Sequence, residues 1–244
     1  MKRVKLTVAY DGTGYCGWQV QPNGITVEGV LNKALRKLTG EEITVMGASR
    51  TDSGVHAKGQ CGHFDIDTNI PAEKFAFILN SKLPKDIRIK KSWQAEEDFH
   101  CRFSAKGKRY IYRIVNAPHA SALLNRFSTH VPEKLDIDLM REAAEYIVGT
   151  HDFKAFCAAG SSVKTTVRTV NKVDIQKTNE LIEITVEGTG FLYNMVRIIA
   201  GTLIEVGKHK KTPQNVKAII DGQIRKDAGM TAEAKGLTMD EVFY

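Results

Sequence analysis

Three stretches of the chain hold side chains able to do chemistry. The first is Arg50-Thr51-Asp52-Ser53-Gly54-Val55-His56, a polar run between two apolar segments. Asp, Ser and Gly in succession favour a tight turn. Asp52 there either hydrogen-bonds its own backbone, as in an Asx turn, or stands as a carboxylate pinned above a sheet and flanked by the cation Arg50. The second is Arg197, in the middle of the run FLYNMVRIIAGTLIEV at 191–206, which leaves almost no polar face. A helix apolar all round is a buried helix. An unpaired guanidinium inside it costs on the order of several kcal/mol, so Arg197 needs a carboxylate partner or a water-filled cleft. Asp52, Asp65 and Asp67 are the candidates from the first half, and a purely structural ion pair fits as well as a functional one. The third is a basic run: Arg102, Lys106, Lys108, Arg109 and Arg113, with no acid from 102 to 113 and with Phe103, Tyr110 and Tyr112 interleaved. In a strand Tyr110, Tyr112 and Ile114 share one face while Arg109 and Arg113 point the other way. Cations track phosphates and aromatic rings stack on unpaired bases, which suits RNA; an ordinary amphipathic strand produces the same pattern.

Other signals carry less. Gly12-Thr13-Gly14-Tyr15-Cys16-Gly17 fits GxGxxG after a strand. A dinucleotide site needs a helix to open at those glycines, and here residues 18–24 intervene. A loop with an aromatic cluster (Tyr10, Tyr15, Trp18) accounts for the stretch better than a nicotinamide oxidoreductase does. There is no GxxxxGK[ST] loop and no GxSxG elbow, and Cys61, His63, His100 and Cys101 have no zinc-site spacing. Neither a metal nor a nucleotide cofactor is expected.

The positioning elements follow from hydrophobic period. Val4, Leu6, Val8 and Tyr10 alternate as in a half-buried strand over about 3–10. Val27, Val30, Leu31, Ala34, Leu35 and Leu38 recur at helical spacing, predicting a helix over 25–39 that stops at Gly40. A strand over 43–48 leads into the Asp52 turn, and another runs from it to about 66. A short helix fits 71–80 and strands fit 86–95 and 107–116. Further on, a helix fits 136–148 with Asp136 as N-cap and Gly149 as C-cap. Strands at 166–176 and 181–188 form a hairpin, followed by helices at 191–206 and 213–221 and a last strand at 237–243. Mixed elements with hairpin-linked strands predict an α+β fold with a mixed sheet.

With 244 residues, 42% of them hydrophobic and 26% charged, the chain can bury a real core. Those figures exclude a disulfide mini-protein, a disordered tail and a fibrous rod. The charge of +7 suits an anionic partner without requiring one. Four widely spaced cysteines without a CxxC pair, and an N-terminal segment that alternates like a strand, lead to the expectation of reduced thiols in a cytoplasmic protein. No segment is apolar enough to span a bilayer.

Taken together, these segments resemble the bacterial tRNA pseudouridine synthase A family. The matching stretches are Tyr10-Asp11-Gly12 through Gly17-Trp18-Gln19, SRTDSGVHA at 49–57, 59–65, FHCRFSAKGKRYIY at 99–112, GTHDF at 149–153 and GFLYNMVRIIAG at 190–201. They span nearly the whole chain in family order. Ser49 and Ser53 stand where the family usually has Gly and Ala, and positions 233 and 238 lack its usual Pro and Tyr. The resemblance implies the pseudouridine synthase fold: a central mixed, mostly antiparallel sheet from two related halves flanked by helices, with the active-site cleft between them. The halves would be 1–105, carrying the Asp turn, and 106–244, completing sheet and cleft. It implies isomerisation of uridine to pseudouridine in the tRNA anticodon stem-loop at positions 38, 39 and 40, by a homodimer without a cofactor. Asp52 looks like the nucleophile, Arg197 the arginine paired with it, Tyr110 the tyrosine on the flipped uracil, and Arg50 the arginine that enters the stem. Arg102, Lys106, Lys108 and Arg109 would bind RNA. Burial raises an Asp pKa and an adjacent guanidinium lowers it by about 1–3 units, so Arg197 would keep Asp52 ionised. A non-catalytic RNA-binding protein is the rival from another class; it predicts salt-dependent binding without modification.

Overall fold

Val4, Leu6 and Val8 are fully buried on one face of β1 (Lys2–Tyr10), while Lys5 and Thr7 lie half-buried on the other. This is the alternation the sequence predicts, and it places β1 between two antiparallel neighbours. β1 pairs with β3 (His56–Ile66), setting Lys5 opposite His63 and Leu6 opposite Gly62. On its other edge it pairs with β4 (Ile87–Ala95), setting Lys5 opposite Trp93. The computed structural model describes residues 1–160 and 163–244.

The chain divides into two units, 1–106 together with 239–244, and 107–238. In the first the strands run in the order β4-β1-β3-β10, where β10 is Leu237–Phe243, and the two-residue β2 (Met46–Gly47) lies on β3. Helix α1 (Val27–Thr39) starts at Thr26, whose hydroxyl accepts from the Gly29 N–H, and ends at Gly40 with φ +79, as its spacing and its glycine predict. Helix α2 (Phe75–Asn80) packs on β4 and sets Phe75 edge-on to Phe64. In the second unit β5 (Gly107–Val115), β9 (Leu181–Gly188), β8 (Val167–Thr178) and β7 (Gly149–Asp152) lie side by side, all antiparallel. The short β6 (Thr129–His130) adds to β5 in parallel, which makes the sheet mixed. Helices α3 (Ile137–Glu145), α4 (Met195–Gly207) and α5 (Pro213–Gly222) complete the unit. The α+β class with a mixed, mainly antiparallel sheet is therefore the one the sequence predicts.

Boundaries differ in four places. Of the strand expected at 43–48 only Met46–Gly47 forms strand, with the Ala48 N–H still donating to the Cys61 carbonyl. The helix expected at 71–80 begins as a 3-10 turn, Ala72–Lys74. The helix expected at 136–148 keeps its Asp136 cap but ends at Glu145; Gly149, at φ +123, opens β7 instead of capping the helix. The helix expected at 191–206 starts at Met195, because Asn194 adopts the left-handed conformation (φ 59) and cannot continue a helix backward.

Candidate active site

The turn carrying Asp52 is held by the loop that the glycine motif encodes. At its start Thr51 is buried; the Tyr10 and Thr51 hydroxyls are 2.7 Å apart and the Trp18 N–H donates to the Thr51 carbonyl at 3.1 Å. In the middle, the Val55 N–H donates to the Asp52 carbonyl, and the Ser53 hydroxyl and Gly54 N–H both reach the Tyr15 carbonyl. At the end, the Gly12 N–H donates to His56 Nδ1 at 3.0 Å. A Cβ on Gly12 would overlap the Val55 carbonyl oxygen, and one on Gly17, at φ +81, would overlap that of Thr51. The glycines at 12 and 17 thus let one backbone lie directly on another. That need accounts for two of the three glycines in the GxGxxG spelling; Gly14 has open space where a Cβ would stand. The loop is tied down in turn, through the Tyr15 hydroxyl to the Asp86 carboxylate at 2.8 Å. Burial and that carboxylate both push the Tyr15 pKa up, so the phenol stays a donor. On this frame Asp52 is half-buried and Arg50 exposed.

Arg102 and Lys106 are both exposed and belong to the same unit. Between them the turn 100–104 is locked twice, by Ser104 N–H to the His100 carbonyl (2.8 Å) and His100 N–H to the Ser104 hydroxyl (3.0 Å). His100 Nδ1 accepts from the Arg102 and Phe103 amides. This rigid turn holds Phe103 77% exposed, its ring 4.3 Å from that of His100 and beneath the Arg102 guanidinium. Nearby, Lys5 Nζ lies over the rings of Tyr244, Phe99 and Trp93, and burial lowers its pKa.

Tyr110 and Arg197 belong to the second unit. Tyr110 faces inward on β5, 8% exposed, with its ring edge-on to Phe191 at 5.3 Å. On the same face Tyr112 is fully buried and donates to the Glu233 carbonyl. Burial drives its pKa well up, and the nearby positive charge of Arg197 acts in opposition. Arg197 is half-buried: Nε donates to the Ala232 carbonyl at 2.8 Å, the Ala232 N–H returns to the Arg197 carbonyl, and one terminal nitrogen donates to the Asn194 amide oxygen. The left-handed Asn194 that delays α4 therefore also serves its arginine. Of the other carboxylates considered for Arg197, Asp65 is gripped by Arg3 at 2.6 and 2.7 Å, and Asp67 lies 4.0 Å from the N-terminal ammonium. Lys108 is half-buried, and Arg109 is engaged across the strand pair with Glu187 at 2.7 Å, as Arg113 is with Glu183. The basic run lacks acids in sequence but meets them in space. The signal was present in LIEITVEG, where Glu183 and Glu187 stand four apart on one strand face, matching Arg109 and Arg113.

This frame of a carboxylate on a braced turn in an α+β sheet protein has close relatives. The sequence profile of the tRNA pseudouridine synthase family matches residues 6–104 and 143–244. The tRNA pseudouridine synthase A of Acetivibrio thermocellus is 49% identical over 244 residues, covering both chains completely. Those of Ruminiclostridium cellulolyticum and Clostridium acetobutylicum are each 50% identical, again over the whole of both chains. The chain belongs to the tRNA pseudouridine synthase A family, a family of isomerases. A Cbf5-Nop10-Gar1 complex shows a more distant likeness: 97% of this chain, 48% of the other, 14% identity and a TM-score of 0.38. Among the described residues no helix is long and apolar enough to cross a membrane.

Proposed function

We propose that the chain converts uridine to pseudouridine at positions 38, 39 and 40 of the tRNA anticodon stem-loop, with Asp52 as nucleophile. The observation that carries this is the bracing of the Asp52 turn: four backbone groups and three side-chain hydroxyls, those of Tyr10, Thr51 and Ser53, hold the segment 51–55 against the loop 10–18. A half-buried carboxylate held this rigidly in a member of this family is suited to attack.

The reaction breaks the bond from N1 to C1′, turns the uracil over and joins C5 to C1′; the C5 proton leaves and N1 gains one. It consumes no reductant, oxidant or nucleotide. A target in a stem must first be extruded, at a cost of about a few kcal/mol, offset by stacking and phosphate contacts. Arg50 enters the vacated space in the stem. Tyr110 contacts the extruded base, and Arg197 is the cation that keeps Asp52 ionised. Of the other two carboxylates considered for Arg197, Asp65 is held by Arg3 and the Asp67 side chain is 93% exposed, which favours this reading. Arg102 and Lys106 bind phosphates, with Phe103 between them as a surface on which an unpaired base stacks. Lys108 adds a further positive charge, and Arg109 contributes less because Glu187 already holds it. The enzyme acts as a homodimer in the cytoplasm.

The test is mass spectrometry of unmodified tRNA after incubation with the protein, using a reagent that tags pseudouridine because the product has the mass of the substrate. Tagged residues at 38–40 are the expected result. Binding without tagging would leave an RNA-binding protein that does not catalyse.

A further inference from the structure

The residues gripping the Asp52 turn do not all belong to its own chain segment, and one of them has a chemistry that matters. His56 opens β3, four residues after Asp52, and is 2% exposed. Its Nδ1 accepts the Gly12 N–H at 3.0 Å and lies 3.2 Å from Asp11 Oδ1. A neutral ring protonated on Nε2 accepts from Gly12; an imidazolium donates from Nδ1 to Asp11. In either state the ring is fastened to the 11–12 segment. Asp11 is itself fixed, accepting from the Thr13 N–H at 3.0 Å and the Thr13 hydroxyl at 2.6 Å. Between His56 and Asp52 the Val55 carbonyl rests so close to Gly12 that no Cβ fits there, and the Val55 N–H closes the turn on the Asp52 carbonyl. A shift of His56 away from Gly12 therefore passes through two rigid links to the carboxylate.

We propose that His56 is a positioning residue for Asp52: by holding the 11–12 segment it stops the catalytic turn from drifting off its working geometry. The inference rests on Asp52 being the nucleophile and adds to that reading the group that aims it. A histidine serves because its acceptor is rigid and reaches a backbone amide without a flexible stem. Removing the acceptor leaves the Gly12 N–H buried without its partner and frees the far end of the turn, which is then held only at its start, by Tyr10 and Trp18, and in its middle, by the Tyr15 carbonyl. A displacement near 1 Å lowers the rate of an oriented reaction by about 10²-fold. Binding of tRNA, which rests mainly on Arg102, Lys106 and Phe103, changes little.

The experiment compares His56→Leu, His56→Asn and Asp52→Asn by release of tritium from tRNA labelled at C5 of uridine, with folded fraction measured by circular dichroism. His56→Leu is expected to lose about 30- to 100-fold in kcat with KM within about three-fold. In His56→Asn the amide oxygen replaces Nδ1 as acceptor and recovers most of that loss. If His56→Leu does not fold, His56→Gln takes its place, since its longer stem carries the acceptor past the Nδ1 position while keeping polarity. A wild-type kcat in the variant lacking the acceptor overturns the inference, as does a loss matched by the unfolded fraction or by a rise in KM. Equal deficits in His56→Asn and His56→Leu overturn it too. The Asp52→Asn arm reports separately on the nucleophile: if that variant turns over, the assignment of Asp52 fails, whatever His56 does.

Discussion

Gly17 gives the bracing of the turn its sharpest test. It sits at φ +81, where an L side chain is strained, and alanine there costs about 1–2 kcal/mol. At 2–4 °C per kcal/mol for a chain of this size, Tm should fall by about 2–8 °C. A second effect is specific to the position. The new Cβ would overlap the Thr51 carbonyl oxygen and stand 3.1 Å from the Asp52 carbonyl carbon and 3.2 Å from the Ser53 nitrogen. These are backbone atoms with no rotamer to escape into, so the segment beside Asp52 must move. A displacement of up to about 1 Å predicts a fall in kcat on the order of 10²-fold. Gly40→Ala is the control: its φ of +79 imposes the same strain, yet nothing lies within 4 Å of its Cβ. Gly17→Ala should lose at least as much stability as Gly40→Ala, and only Gly17→Ala should lose turnover of C5-tritiated tRNA at equal folded fraction. Equal kcat values in the two would refute the idea that the loop 10–18 sets the geometry of the turn.

Arg102→Ala and Lys106→Ala should each lower the slope of log binding constant against log salt by about 0.7–0.9, while Arg109→Ala changes it less because Glu187 already holds that charge; filter binding across a KCl series reads both. Phe103→Ala should leave Tm nearly unchanged, since the ring is in water, but raise KM for tRNA about five-fold or more through lost stacking. The pKa of His63 is lowered to about 4, first by burial and then by the charges of Arg3 and His100. As pH falls through 6.5 the unfolded chain takes up a proton that the folded chain refuses until about 4, so His63 subtracts stability over that window and nothing above it. Urea midpoints measured from pH 7 to 4.5 should therefore decline less steeply in His63→Gln than in the wild type.

Much of this architecture is legible in the chain because local signals and burial agree. The alternation of Val4, Leu6 and Val8, the helical spacing that ends at Gly40, and the Asp136 cap all mean in the fold what they mean in sequence. Failures occur where a single backbone conformation outweighs a hydrophobic pattern. The apolar run at 191–206 reads as helix throughout, yet a left-handed Asn194 delays the start to Met195. Gly149 resembles a helix terminator, but its φ of +123 is used to enter β7. The polar turn at 50–56 is visible as a candidate from its residue types alone. What holds it is not visible, because the partners come from forty residues earlier: Tyr10 on Thr51, Gly12 on His56, Tyr15 on Ser53 and Gly54. Likewise the acids that meet Arg109 and Arg113 lie some seventy residues further along the chain and reach them only through strand register.

The proposed nucleophile is tested most directly by Asp52→Asn, which keeps the size of the side chain and removes its charge. With C5-tritiated tRNA, no release above background is predicted, while the Kd for tRNA stays within about three-fold of the wild type. Tritium release at a rate near that of the unaltered protein would contradict the account.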